Sequence, residues 1–184
     1  MTMLYQRQIW GWAPALVVLL GACSLALDWR EVRPEGADLL ALFPCKPEVL
    51  SRPNMAPAPG ASGAQSVSNA SGVMGLAQCK SGGMSFSLSW AEVPDLPMVT
   101  PALTQMRASL TTKLAASGAE AQAVQIAGMT PNPAAMQQLM LSGSQAAQLA
   151  VFTRGRRVYQ AVMLSPKPDA GTWQTFLDGV RLGS

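Results

Sequence analysis

The sequence predicts an α/β (α+β) fold: a single domain of antiparallel sheet flanked by helices, after an apolar N-terminal segment. Three observations carry this. Residues 84–90 (MSFSLSW) alternate strictly between large apolar residues and serines, the period-two pattern of a half-buried strand. Val99, Leu103, Met106, Leu110 and Leu114 recur at steps of four, three, four and four, which puts them on one face of a helix. Residues 135–142, 147–154 and 156–165 then read as successive antiparallel strands, with tight turns at Gly143 and Gly155.

From the N-terminus, residues 8–27 (QIWGWAPALVVLLGACSLAL) carry no charge; Arg7 precedes them, and Asp28, Arg30 and Glu31 follow. A cationic start, an apolar stretch and then small residues is the layout of a secretory signal. The same twenty residues, at ~1.5 Å rise, reach ~30 Å and would also span a bilayer uncleaved. Leu20-Gly21-Ala22-Cys23 resembles the lipobox of bacterial lipoproteins, in which the signal is cut before the Cys and the Cys carries lipid. That resemblance implies lipidation of Cys23. Ser24 in place of an Asp implies, on the same resemblance, transfer to the outer membrane. Residues 1–22 are thus a lipoprotein signal, a membrane anchor or an ordinary cleaved signal. The domain is expected over residues 23–184, and in each case residues 28–184 lie beyond the inner membrane, facing the periplasm.

Cysteine arithmetic fits export. The chain has three Cys; with Cys23 lipidated, Cys45 and Cys79 remain as a pair. An even remainder in an exported domain reads as one disulfide. Two buried free thiols are the alternative.

Residues 27–33 (LDWREVR) predict a short strand stopped by Pro34, and residues 39–43 (LLALF) a second that runs into Pro44-Cys45-Lys46-Pro47. Residues 53–72 are rich in Pro, Ala, Gly and Ser and predict a loop or a ragged strand approach. Residues 73–79 and 84–90 predict a hairpin around Gly82-Gly83, with Cys79 beside the turn. The following helix, 98–117, is expected to start at Thr100 as N-cap with Pro101 in its first turn, and to stop at Gly118. Residues 121–127 lead as a strand into a turn cluster, 128–133. A short helix over 170–178 places Trp173, Phe176 and Leu177 on one side, and both aromatic rings are expected to be buried.

Composition removes several kinds of chemistry. There is no His, so His triads, His general bases and His-ligated metals are excluded. Charged residues make up only 12% and hydrophobic residues 49%, which excludes a charge-driven disordered chain. A net charge of +3 without clustering does not suggest nucleic acid. Lys80-Ser81 and Ser165-Lys167 lie at predicted turns, where solvated residues are expected rather than a Ser–Lys dyad. Glu92 and Asp95 do not form a paired-carboxylate site by spacing. The eleven methionines are soft ligands in principle, but Met84, Met106 and Met163 fall on predicted core faces, where Met is filler. No cofactor is implied. Arg154, Arg156 and Arg157 form a basic knot at a hairpin turn; it could contact a partner, or be a solvated turn that blunts edge pairing.

Gly155-Arg156-Arg157-Val158-Tyr159-Gln160, then Trp173, Phe176-Leu177 and Val180-Arg181-Leu182, resemble the ending of small exported bacterial proteins. Leu42-Phe43-Pro44-Cys45-Lys46-Pro47 is similar to their opening turn. On these residues the chain is identified as a member of the uncharacterised envelope (lipo)proteins of Gram-negative bacteria with a PsbP-like fold. The resemblance implies an antiparallel sheet flanked by helices, and roles mostly as accessory or binding subunits; fold analogy does not deliver function. The expectation is a non-catalytic envelope lipoprotein that binds another envelope component. The alternative is a carrier of a small apolar ligand in a cleft between helix 98–117 and the sheet.

Overall fold

The structure, a computed structural model, describes residues 27–53 and 73–183. The apolar segment with Cys23, and nearly all of the stretch expected as a loop, lie outside the described residues. In chain order the elements are β1 (Arg30–Val32), β2 (Leu39–Phe43), β3 (Glu48–Pro53), β4 (Val73–Ser81), β5 (Met84–Glu92), α1 (Val99–Leu114), β6 (Ser117–Gly118), β7 (Gln122–Ala123), β8 (Met136–Ser142), β9 (Gln145–Arg154), β10 (Arg157–Ser165), α2 (Ala170–Asp178) and β11 (Arg181–Leu182).

The alternation in β5 sets the main sheet. Phe86, Leu88 and Trp90 are buried on one face, while Ser85, Ser87 and Ser89 take the other. Gly82 and Gly83 turn the chain back with φ of 59° and 74°. That pair of left-handed residues matches the twist of a two-residue hairpin, and glycine adopts it without a Cβ penalty. Strands β8, β9 and β10 form a meander, and β10 closes on β5 with Tyr159 opposite Trp90. The resulting eight-stranded antiparallel sheet runs β3-β4-β5-β10-β9-β8-β6, with β7 also on β8. A second sheet, β1-β2-β11, pairs the end of the chain with its beginning: Arg181 lies opposite Leu40 and Leu182 opposite Leu39.

Two cores follow from the two faces of the main sheet. On one, Phe86, Trp90, Phe152, Tyr159 and Met163 meet Leu39, Ala41 and Phe43 of the small sheet and Trp173, Phe176 and Leu177 of α2. Phe176 is the hub, edge-on to Phe43 at 5.3 Å and to Phe86 at 5.4 Å between ring centroids, the geometry the aromatic quadrupole favours. On the other face α1 lays Val99, Ala102 and Leu103 over Met140, Leu149, Val151, Val158 and Val162. Burial weakens along α1, where Met106, Leu110 and Leu114 are only partly buried. The methionine placement agrees with core filling: Met163 is fully buried, and Met84 and Met106 pack against the two cores.

Cys45 and Cys79 form a disulfide, with Cα atoms 6.0 Å apart. It ties the exit of β2 to β4 and closes a loop that contains β3.

The structure corrects several boundaries. Only Arg30–Val32 of 27–33 is strand. Pro53, expected to open the loop, instead ends β3, a strand the sequence reading missed. Helix α1 begins at Val99 on a 3-10 turn, Leu96–Met98, with no side-chain cap, so Thr100 is not its N-cap. It ends at Ala115, whose φ is 46°, three residues before Gly118. The reason is competition: Ser117–Gly118 leaves to pair with Met140 and Leu141 of β8. Of 121–127 only Gln122–Ala123 is strand, with Ala127 bridging singly to Arg181. Helix α2 has the expected bounds, and Asp169 caps it by accepting the Thr172 N–H at 3.0 Å. Hydrogen bonds from Thr172 hold the Asp169 carboxyl below its usual range.

Candidate functional site

The basic knot at the β9–β10 turn is internally compensated. Arg156 pairs with Glu92 at 2.6 Å and also donates to the Pro94 carbonyl at 2.8 Å. Arg157 lies 3.7 Å from both Glu92 and Asp38, and Arg154 lies 3.4 Å from Asp38. Three cations thus share two carboxylates, around a shallow opening of about 440 Å³ that Thr130 also lines. The turn is held from below as well: the Gly155 N–H donates to Thr130 Oγ1 at 3.0 Å, and Thr153 Oγ1 donates to the Arg157 carbonyl at 2.7 Å. The sequence placed the three arginines together. It could not show Asp38 and Glu92 beside them, because each comes from a distant strand or turn.

Beneath the knot, Tyr159 donates from its hydroxyl to the Ala37 carbonyl at 2.9 Å. Burial pushes this phenol up to about 12, against the opposing charge of Arg157. It is therefore a neutral donor at neutral pH, tying β10 to the turn before β2.

Ser165 donates to the Lys167 main-chain carbonyl at 2.7 Å, which closes the turn after β10. Among the described residues, no three Cys, Asp or Glu side chains are grouped to hold a metal. No described helix is long and apolar enough to cross a membrane. Cys23 lies outside the described residues.

A wider opening than that of the basic knot lies elsewhere, at the β3 edge of the main sheet. It measures about 760 Å³ and is lined by residues 49–52, by Met74, Gly75 and Leu76, and by Ser89. The cross-strand register puts Leu50 opposite Leu76, Arg52 opposite Met74, and Leu76 opposite Ser89. Because alternate residues share a face, Leu50, Arg52, Met74, Leu76 and Ser89 lie on the face that α1 covers further along. Here α1 stops short: it sits over β9 and β10. Of the exposed large hydrophobics among the described residues, Leu50, at 52% exposed, is on this face, while Val49 and Val73 lie on the other face of the same two strands. Sequence reasoning missed this feature because β3 was missed. Its only signal was the charged, apolar, charged spacing of Glu48, Leu50 and Arg52.

Comparison with protein-family models and with curated proteins finds no match to the chain.

Proposed function

We propose that this chain is a non-catalytic binding module of the Gram-negative envelope, anchored by its N-terminus and facing the periplasm. The observation that carries the reading is an apolar strip on β3–β4, exposed Leu50 beside half-buried Met74 and Leu76, beyond the part of the sheet that α1 covers. Contiguous exposed apolar surface on an exported domain is the mark of an interaction site. The disulfide suits an oxidising compartment. The α+β architecture agrees in class with the PsbP-like envelope proteins that the termini of the chain resemble. Lipidation of Cys23, with Ser24 directing the protein to the outer membrane, supplies the tether on this reading.

The partner is an envelope protein presenting apolar side chains to Leu50, Met74 and Leu76. The carrier reading has less support, since Leu103, Leu149, Val151 and Val158 occupy the space between α1 and the sheet. A photo-crosslinking amino acid at Met74, in cells, tests the proposal. The control is the same group at Leu141, which is 49% exposed and apolar but on the opposite side of the sheet. A discrete adduct with another protein at Met74 and none at Leu141 is expected. Equal labelling at both positions, or none, overturns the proposal. An apolar small molecule retained one-to-one in native mass spectrometry would favour the carrier instead.

A further inference from the structure

We infer that the free edge of β3 is a self-pairing edge, and that two copies of this chain join there in antiparallel register about Leu50. The strand is short, but all five residues 48–52 are exposed, and among the described residues β3 stands at the end of the strand order with only β4 beside it. An unpaired edge is a template for another strand. Which strand it accepts is written in the spacing. Glu48, Leu50 and Arg52 share one face, because they lie opposite Gln78, Leu76 and Met74 of β4. A two-fold axis through Leu50 sets Glu48 against the second copy's Arg52, Arg52 against its Glu48, and Leu50 against Leu50. Neither charge has an ion-pair partner among the described residues.

The neighbouring registers that keep the two faces aligned are worse. An axis through Val49 brings Lys46 against Arg52. An axis through Ser51 sets Arg52 against Leu50. The charges that would blunt the edge against other strands therefore admit a second copy in one register and reject the alternatives. Pairing also completes the opening beside β3. In one copy only β3, β4 and β5 line it; with the second copy alongside, Leu50, Met74 and Leu76 of both copies floor a single trough. This association stands independently of whether another envelope protein docks on that face.

The test is sedimentation of the purified full chain in detergent micelles, with no other protein present. The wild-type chain is expected to dimerise reversibly. Glu48→Arg, which sets Arg against Arg at both ends, is expected to weaken the dimer roughly tenfold or more. Adding Arg52→Glu to Glu48→Arg recreates both pairs with reversed sign and is expected to return the constant to within about threefold of wild type. These side chains are exposed, so the fold is not at stake. Register is read by cysteine pairs, since opposed Cα atoms in such a ladder lie within disulfide reach. Leu50→Cys is expected to cross-link to itself, Val49→Cys alone is not, and Val49→Cys mixed with Ser51→Cys is. A monomer at every concentration, a dimer indifferent to Glu48→Arg, or self-linking of Val49→Cys as fast as Leu50→Cys would each overturn the inference. Adducts at Met74 in cells alongside a purified monomer would overturn this inference and leave the binding reading standing.

Discussion

The indole of Trp90 lies across Gly75, its cross-strand partner: a Cβ built on Gly75 would fall 2.2 Å from Trp90 Cζ2. Trp90 is 1% exposed and packs into the larger core. Gly75 is thus a close-approach glycine, chosen by the ring above it. Gly75→Ala is expected to displace the indole and cost about 1–3 kcal/mol, the usual penalty of overpacking. Urea unfolding checks it, and an unchanged midpoint would show that the ring has room to move.

The closing helix is a structural part of the core. Trp173 is 5% exposed and Phe176 fully buried, and Trp173 Nε1 donates to Gln137 Oε1 at 3.1 Å. Trp173→Ala is expected to cost about 3–5 kcal/mol, a large share of the ~5–15 kcal/mol typical of a whole domain. Truncation before Ala170 is expected to unfold the chain, read as loss of the near-ultraviolet circular dichroism signal.

Removal of the Cys45–Cys79 bridge by double substitution to Ser is expected to destabilise the domain by about 3–4 kcal/mol, given that the two residues are 34 apart in sequence. Because β3 lies inside the closed loop, its pairing with β4 should loosen first. Amide exchange along residues 48–52 provides the readout, and uniform loosening of all strands would contradict this order.

Tyr159 gives a pH signature. Its phenol is held neutral up to about 12 in the folded chain, against 10.0 when solvated. Between those values the unfolded chain loses the proton and the folded chain keeps it, so unfolding is favoured as pH rises. The contribution is complete below pH 10.0 and declines through about 12, by up to about 2–3 kcal/mol. Tyr159→Phe should be less stable than wild type at pH 8, from loss of the bond to Ala37, yet show a shallower alkaline decline. Parallel pH curves for the two proteins would exclude the effect.

Legibility in the sequence follows from how each element is stabilised. Strand β5, the β8–β10 meander and α2 are legible because each buries its own periodic face, so side-chain spacing reports it. Strand β3 buries almost nothing and is held by main-chain pairing to β4; its side chains carry no periodic burial signal, and the flanking prolines argue against it. The small sheet was equally hidden, since pairing of Leu182 with Leu39 depends on the tertiary path of the whole chain. The end of α1 was misplaced because β8 captured Ser117–Gly118, a competition between helix and sheet that local propensity does not record. The candidate site suffered most: its arginines were visible, but its open apolar strip belongs to the strand that spacing did not announce.

The most direct measurement of whether the β3–β4 surface is where this protein associates is amide exchange at residues 48–52, compared between envelope vesicles carrying the protein and the purified chain at high dilution. The account predicts fast exchange in the dilute chain and marked slowing in the vesicles, with Met136–Ser142 of β8 unchanged between the two. Equally fast exchange of residues 48–52 in both settings would contradict it.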